Sequence, residues 1–183
     1  MRILAISGSL RRGSHNTCLL RAAEEVTSPL DTFELWDGLR EVPPYDQDDD
    51  EAAPPAVAAF RAAVASADAV LIATPEYNSS IPGALKNALD WASRPLASSP
   101  FRGKPVAVIG SSAGMFGAVW AQAELRKVLA AMGARVVEVE IAVGRAHEKF
   151  DEEGRLLDDD VREQLRDTLA MLAAETRPVV AAA

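Results

Sequence analysis

Three polar stretches carry the residue types that could do chemistry. In Ser7-Gly8-Ser9-Leu10-Arg11-Arg12-Gly13-Ser14-His15-Asn16-Thr17, four hydroxyls surround two glycines and two arginines, after an apolar run and at the start of a helical pattern. Converging backbone N–H groups, the positive end of a helix dipole and a charge-assisted donor in Arg11 or Arg12 suit a phosphate monoester dianion. Taken alone, the stretch also reads as a serine-rich helix cap with solvated arginines.

The second stretch, Pro75-Glu76-Tyr77-Asn78-Ser79-Ser80-Ile81-Pro82, runs into a helical pattern ending at Asp90-Trp91. Pro75 and Pro82 fix backbone angles on either side, so a ring and amides sit at the tip of a stiff loop. Such a loop suits packing beside a planar heterocycle, or simply caps the edge of a sheet. In the third stretch, Gly110-Ser111-Ser112-Ala113-Gly114-Met115-Phe116-Gly117, small residues let main-chain N–H groups approach a ligand closely.

Competing phosphate chemistries lack their residues. No Gly-Lys-Ser/Thr ending marks a nucleoside triphosphate loop, and Gly8 and Gly13 lack the third glycine of a dinucleotide fingerprint. A phospho-accepting receiver domain needs a carboxylate where this chain has Thr74-Pro75.

The elements that must position these loops alternate along the chain. Apolar runs at 3–7, 32–35, 69–74, 106–110 and 136–141 separate helical patterns at 16–26, 55–67, 82–93, 117–132 and 158–174. That alternation indicates an α/β fold of βαβ units around a five-stranded parallel sheet. Runs 1, 3 and 4 are continuously apolar, as for central strands covered on both faces, whereas Asp31-Thr32-Phe33-Glu34-Leu35 alternates like an edge. The expected order is 2-1-3-4-5, a flavodoxin-like three-layer arrangement whose reversal between strands 1 and 3 opens the crevice lined by the polar loops.

The chain of 183 residues fits one domain, taken as residues 1–183, and its net charge of −8 argues against binding nucleic acid by phosphate neutralisation. Its one cysteine, Cys18, excludes an internal disulfide and fits a reducing, cytoplasmic setting; no run approaches a membrane span or signal peptide. Segments 37–55 and 147–160 read as excursions from the core, the acidic run Asp48-Asp49-Asp50-Glu51 as solvated loop, and Ala181-Ala182-Ala183 as a frayed end. Cys18 reads as packing, His15 and His147 lack companions at metal-ligand spacing, and Trp91 and Trp120 read as core or subunit-contact residues.

These residues resemble the NADPH-dependent FMN reductase family of quinone, chromate and azo-dye reductases. The resemblance rests on Gly8-Ser9-Leu10-Arg11 with Ser14 and Asn16, on Pro75-Glu76-Tyr77-Asn78, and on Pro82-Gly83, Leu85-Lys86-Asn87 and Asp90-Trp91. It continues through Ala121-Gln122, Leu125-Arg126, Phe150-Asp151, Gly154 and Leu156. After strand 4 the chain departs from the pattern: many relatives have paired glycines and an arginine where it has Gly117-Ala118 and Trp120.

The resemblance implies that the phosphate of FMN sits on Ser9, Arg11, Ser14, Asn16 and Thr17. It places the flavin ring against Pro75, Glu76, Tyr77 and Asn78 and against Ser111, Ser112 and Gly114. Main-chain donors there would stabilise charge developing on the ring. It also implies a homodimer or homotetramer with the Pro82–Trp91 helix near the contact, NADPH (or NADH) as hydride donor, and a small-molecule acceptor such as a quinone or free flavin. The expected mechanism is ping-pong hydride transfer through flavin N5, with no protein acid–base dyad. An alternative is a flavodoxin-like electron carrier that holds FMN without turning over nicotinamide.

Overall fold

The computed structural model describes residues 1–176; Ala181 to Ala183, expected to fray, lie outside them. Strands β1 (Arg2–Ser7), β2 (Thr32–Trp36), β3 (Ala69–Thr74), β4 (Pro105–Ser111), β5 (Arg135–Val136) and β6 (Ala142–Val143) form one sheet in the order β2-β1-β3-β4-β5, with β6 also on β4. Every pairing is parallel. The helices are α1 (His15–Glu25), α2 (Pro55–Ser66), α3 (Gly83–Ala92), α4 (Val119–Ala131), α5 (Ala146–Lys149) and α6 (Asp159–Thr176).

Successive strand residues point to opposite faces, so each central strand feeds two cores. Leu4, Ile6, Val70, Ile72, Val106 and Val108 pack with α2, α3 and α4 through residues such as Phe60, Leu89 and Leu125. Ile3, Ala5, Leu71, Ala107 and Ile109 pack with α1 and α6 through Leu19, Leu20, Leu165 and Leu172. The sheet is thus the middle of three layers, and the continuous apolar runs mark the strands buried on both faces.

The fifth sheet position differs from the continuous strand expected over 136–141. The segment from Val136 to Ala142 spans six steps, while its β4 partners Val106 to Gly110 span four, so two extra residues bulge out. Val139 N–H turns back to Val137 O, and α4 side chains reach the carbonyls of the segment, Ile141 O also accepting from Gly110 N–H of β4 at 2.9 Å. Arg126 donates to Val139 O at 2.8 Å, and buried Gln122 donates to Ile141 O at 3.1 Å. A β-branched run sets strand propensity, but its pairing depends on α4 side chains distant in sequence.

The two excursions are tied down by motif residues. Asn87 accepts from Tyr45 N–H at 2.7 Å and donates to Pro43 O at 2.8 Å, and Trp91 Nε1 donates to the same carbonyl at 2.9 Å. Segment 43–45 is therefore strapped to α3. In the second excursion Phe150 and Leu156 pair as an antiparallel bridge, and both are buried against the α1 side of the molecule.

Candidate active site

The three polar loops meet at the C-terminal ends of β1, β3 and β4, around a cavity of about 500 Å3. Its lining includes Ser9, Arg11, Ser14, Asn16, Pro75, Glu76, Tyr77, Ser111, Ser112 and Gly114, ten of the residues expected there. Thr17 lines a neighbouring cavity of about 150 Å3, and Asn78 stands at the turn beyond Tyr77. The larger volume is in the range of small-ligand sites.

The first loop is shaped by its own hydroxyls. Ser14 caps α1, its side chain accepting from Thr17 N–H at 3.3 Å, while Thr17 donates its hydroxyl to Ser7 at 2.9 Å. Ser9 Oγ accepts from Arg11 N–H at 3.3 Å, and the Arg11 guanidinium folds back to Gly13 O at 3.2 Å. The opening N–H groups of an α-helix have no intrahelical acceptor, so the start of α1 presents donors beside an arginine. Gly8 is required by close packing: a Cβ there would lie 2.9 Å from Leu85 and 3.3 Å from Pro75.

Asn16 has a more specific position than its motif suggests. Its side-chain amide donates to Ser111 O and accepts from Ser111 N–H, each at 2.9 Å, and it is buried. The side chain therefore joins the first stretch to the third and is not free to meet a phosphate as the resemblance implied.

The second loop is a tight turn. Tyr77 and Ser80 exchange two main-chain bonds of 3.0 and 3.1 Å, with Asn78 at φ 54° and Ser79 at φ 59°. Both central residues are left-handed, as a type I′ turn requires. Tyr77 is 50% exposed on the cavity wall. Glu76 turns its carboxylate outward to the start of α4, where Oε2 accepts from Trp120 and Ala121 N–H at 3.1 Å each.

The third loop is buttressed from below. Ser112 N–H donates to Val143 O, while Gly114 O and Ser112 O accept from Arg145 and Ala146 N–H. Gly117 sits at φ 58°, where a Cβ would lie 2.2 Å from the Ala142 carbonyl carbon. Ser111 Oγ is fully buried without a hydrogen-bond partner, at a residue lining the cavity. The open wall is made instead by Ser9, Ser14, Arg11 and Tyr77, so the cavity offers hydroxyls and a guanidinium at one end and an aromatic ring at the other, which fits the phosphate and planar ring of FMN.

Arg40 was not legible as a site residue. It reaches across from the turn after β2 and donates to Leu10 O at 2.6 Å. No local spacing signals a contact between residues thirty apart.

The remaining singled-out residues lie as follows. His15 lines the cavity and stacks on Phe150 at 5.4 Å between ring centroids; burial first, then Arg11 and His147, push its pKa below the ordinary histidine value. Burial pushes the Cys18 thiol up, away from reactive thiolate character. Trp91 is fully buried core, whereas Trp120 is 49% exposed and packs edge-on with exposed Phe116 at 5.1 Å. Among the described residues no group of three His, Cys, Asp or Glu could hold a metal, and no helix is long and apolar enough to cross a membrane.

A phosphate-shaped loop, a ring-sized cleft and the flavodoxin strand order define a flavin-binding α/β protein of the oxidoreductase type. Residues 1–148 match the profile of the NADPH-dependent FMN reductases, and the chain belongs to that family. Its cofactor is FMN and its electron donor NAD(P)H. It is 45% identical to an NAD(P)H-dependent FMN reductase of Pseudomonas aeruginosa, over 94% of this chain and 93% of that one. It is 39% identical to a 2-hydroxy-1,4-benzoquinone reductase of a Burkholderia species, over 97% of each. Its structure resembles FerB, a flavoenzyme NAD(P)H:(acceptor) oxidoreductase from Paracoccus denitrificans, with TM-score 0.85, 32% identity and coverage of 95% and 98%.

Proposed function

We propose that the cleft holds FMN with its phosphate on the Ser9–Thr17 loop and its ring between Pro75–Asn78 and Ser111–Gly114. The protein then acts as an NADPH-dependent reductase of planar small acceptors of the quinone type. The observation that carries this is the convergence of all three loops on one cavity of about 500 Å3 beside Arg11 and the start of α1. Bound FMN supplies the hydride chemistry.

The chain's own groups bind and orient. The start of α1, Ser14 and Arg11 offset the phosphate charge, and Arg40 holds Leu10 so that the loop keeps its curvature. His15, held toward its neutral form, adds no fixed charge to the cavity wall. Tyr77 leaves one side of the cleft accessible to a nicotinamide or acceptor, and the quinone class is supported by the named activity of the Burkholderia relative.

A homodimer is proposed as the working form, in the cytoplasm, the latter supported by the single free cysteine. The exposed apolar patch of Met115, Phe116 and Trp120 supports a subunit contact, to which the partly exposed face of α3 is proposed to contribute. The test is reconstitution with FMN followed by gel filtration and NADPH oxidation with a quinone. Flavin coeluting with a dimer that oxidises NADPH supports the reading. A flavin-loaded monomer that leaves NADPH untouched supports the carrier instead.

A further inference from the structure

We infer that Glu76 is a positioning residue, a strut that fixes the Pro75–Asn78 wall of the cleft to the first turn of α4. Helix α4 begins after Ala118 in the left-handed region, and no side chain from its own N-terminus caps it. Its opening donors are satisfied from another loop: one oxygen of Glu76 accepts both the Trp120 and the Ala121 N–H, at 3.1 Å each. The same residue leads directly into the Tyr77–Ser80 turn. A single carboxylate oxygen thus sets the spacing between the wall bearing Tyr77 and the helix start bearing the Phe116–Trp120 pair.

The arrangement also disposes of a charge. A free carboxylate in the wall of a flavin site would oppose negative charge on the reduced ring. Directed at a helix N-terminus, that charge meets two N–H groups and the positive end of the dipole. Because one oxygen takes both bonds, a neutral amide oxygen can replace it without changing the geometry. Alanine cannot.

The inference rests on the proposed flavin site, and its test separates the two. In the apo protein, hydrogen exchange in peptides covering 75–80 and 118–123 accelerates together in Glu76→Ala and stays at the wild-type rate in Glu76→Gln. Glu76→Ala weakens FMN and riboflavin by the same factor, about tenfold, because only the ring end is disturbed. It also raises KM for a quinone acceptor; Glu76→Gln restores the affinity for riboflavin. Unchanged exchange in Glu76→Ala, faster exchange with unaltered riboflavin affinity, or a Glu76→Gln protein as impaired as Glu76→Ala would each overturn the strut. Wild-type protein that bound no FMN would count against the function, while the exchange data would still decide whether Glu76 couples the two segments.

Discussion

Asn16 and Ser111 exchange two hydrogen bonds of 2.9 Å, from the side-chain amide of one to both main-chain groups of the other. The pair is buried, and it joins the loop after β1 to the end of β4 across ninety-five residues. Asn16 stands in the first turn of α1 and Ser111 ends β4, so this one amide pins the helix start to the sheet edge beside the cavity.

Asn16→Ala leaves a buried N–H and a buried C=O of Ser111 without partners. At about 1–3 kcal/mol for each of the two orphaned groups, the expected destabilisation is about 2–6 kcal/mol. Urea unfolding of the apo protein measures it; a loss under about 0.5 kcal/mol would show that the pair is replaceable by water.

In the proposed site Arg11 and Arg40 act at the phosphate end. Arg11→Ala removes a charge-assisted donor and is expected to weaken FMN by about ten- to a hundredfold. Arg40→Ala, which frees Leu10 O, should weaken it by a smaller factor. Riboflavin, lacking the phosphate, should bind both variants as it binds wild type. Flavin fluorescence titrations provide the comparison, and equal losses for FMN and riboflavin would move the phosphate elsewhere.

Gly117 and Ala118 are both left-handed, at φ 58° and 63°. Ala118 bears the cost of that conformation, about 1–2 kcal/mol, but its methyl is buried in the core, so in Ala118→Gly the relief is offset by the lost methyl and the entropy of glycine and the net change is expected to stay under about 1 kcal/mol. Gly117→Ala should destabilise strongly, because its Cβ would lie 2.2 Å from Ala142. Thermal melting should therefore drop strongly in Gly117→Ala and change little in Ala118→Gly.

The motifs exposed the layers, the strand order and the three convergent loops because each has a local cause: apolar periodicity, proline placement or glycine at a turn. The roles of Asn16, Glu76 and Gln122 were not legible, since each bonds main-chain groups of a distant segment. Asn87 and Trp91 show the same effect, for their motif marks a helix but not that both side chains hold the Pro43 carbonyl. Sequence spacing identifies helices; it does not identify which backbone carbonyl will need a donor.

Asp158 accepts from Lys149 Nζ and from Val161 N–H at the start of α6. The Lys149 hydrogen bond first, then that N–H, hold its carboxyl below the usual value. A depressed folded pKa means stability present above the unfolded value of about 3.9 and lost as pH falls through the folded one. Asp158→Asn keeps an oxygen for Val161 and removes the ion pair. It should melt below wild type at neutral pH and converge with it as the pH falls through the depressed folded pKa. A gap that persisted in acid would assign the difference to packing.

The central claim is that the cleft holds a flavin which nicotinamide reduces. Protein reconstituted with FMN is titrated anaerobically with NADPH while the visible spectrum is followed. The expected result is bound-flavin absorption that bleaches and returns when a quinone is added. Flavin that binds but stays oxidised would contradict the reductase, and a protein that binds no flavin would contradict the site.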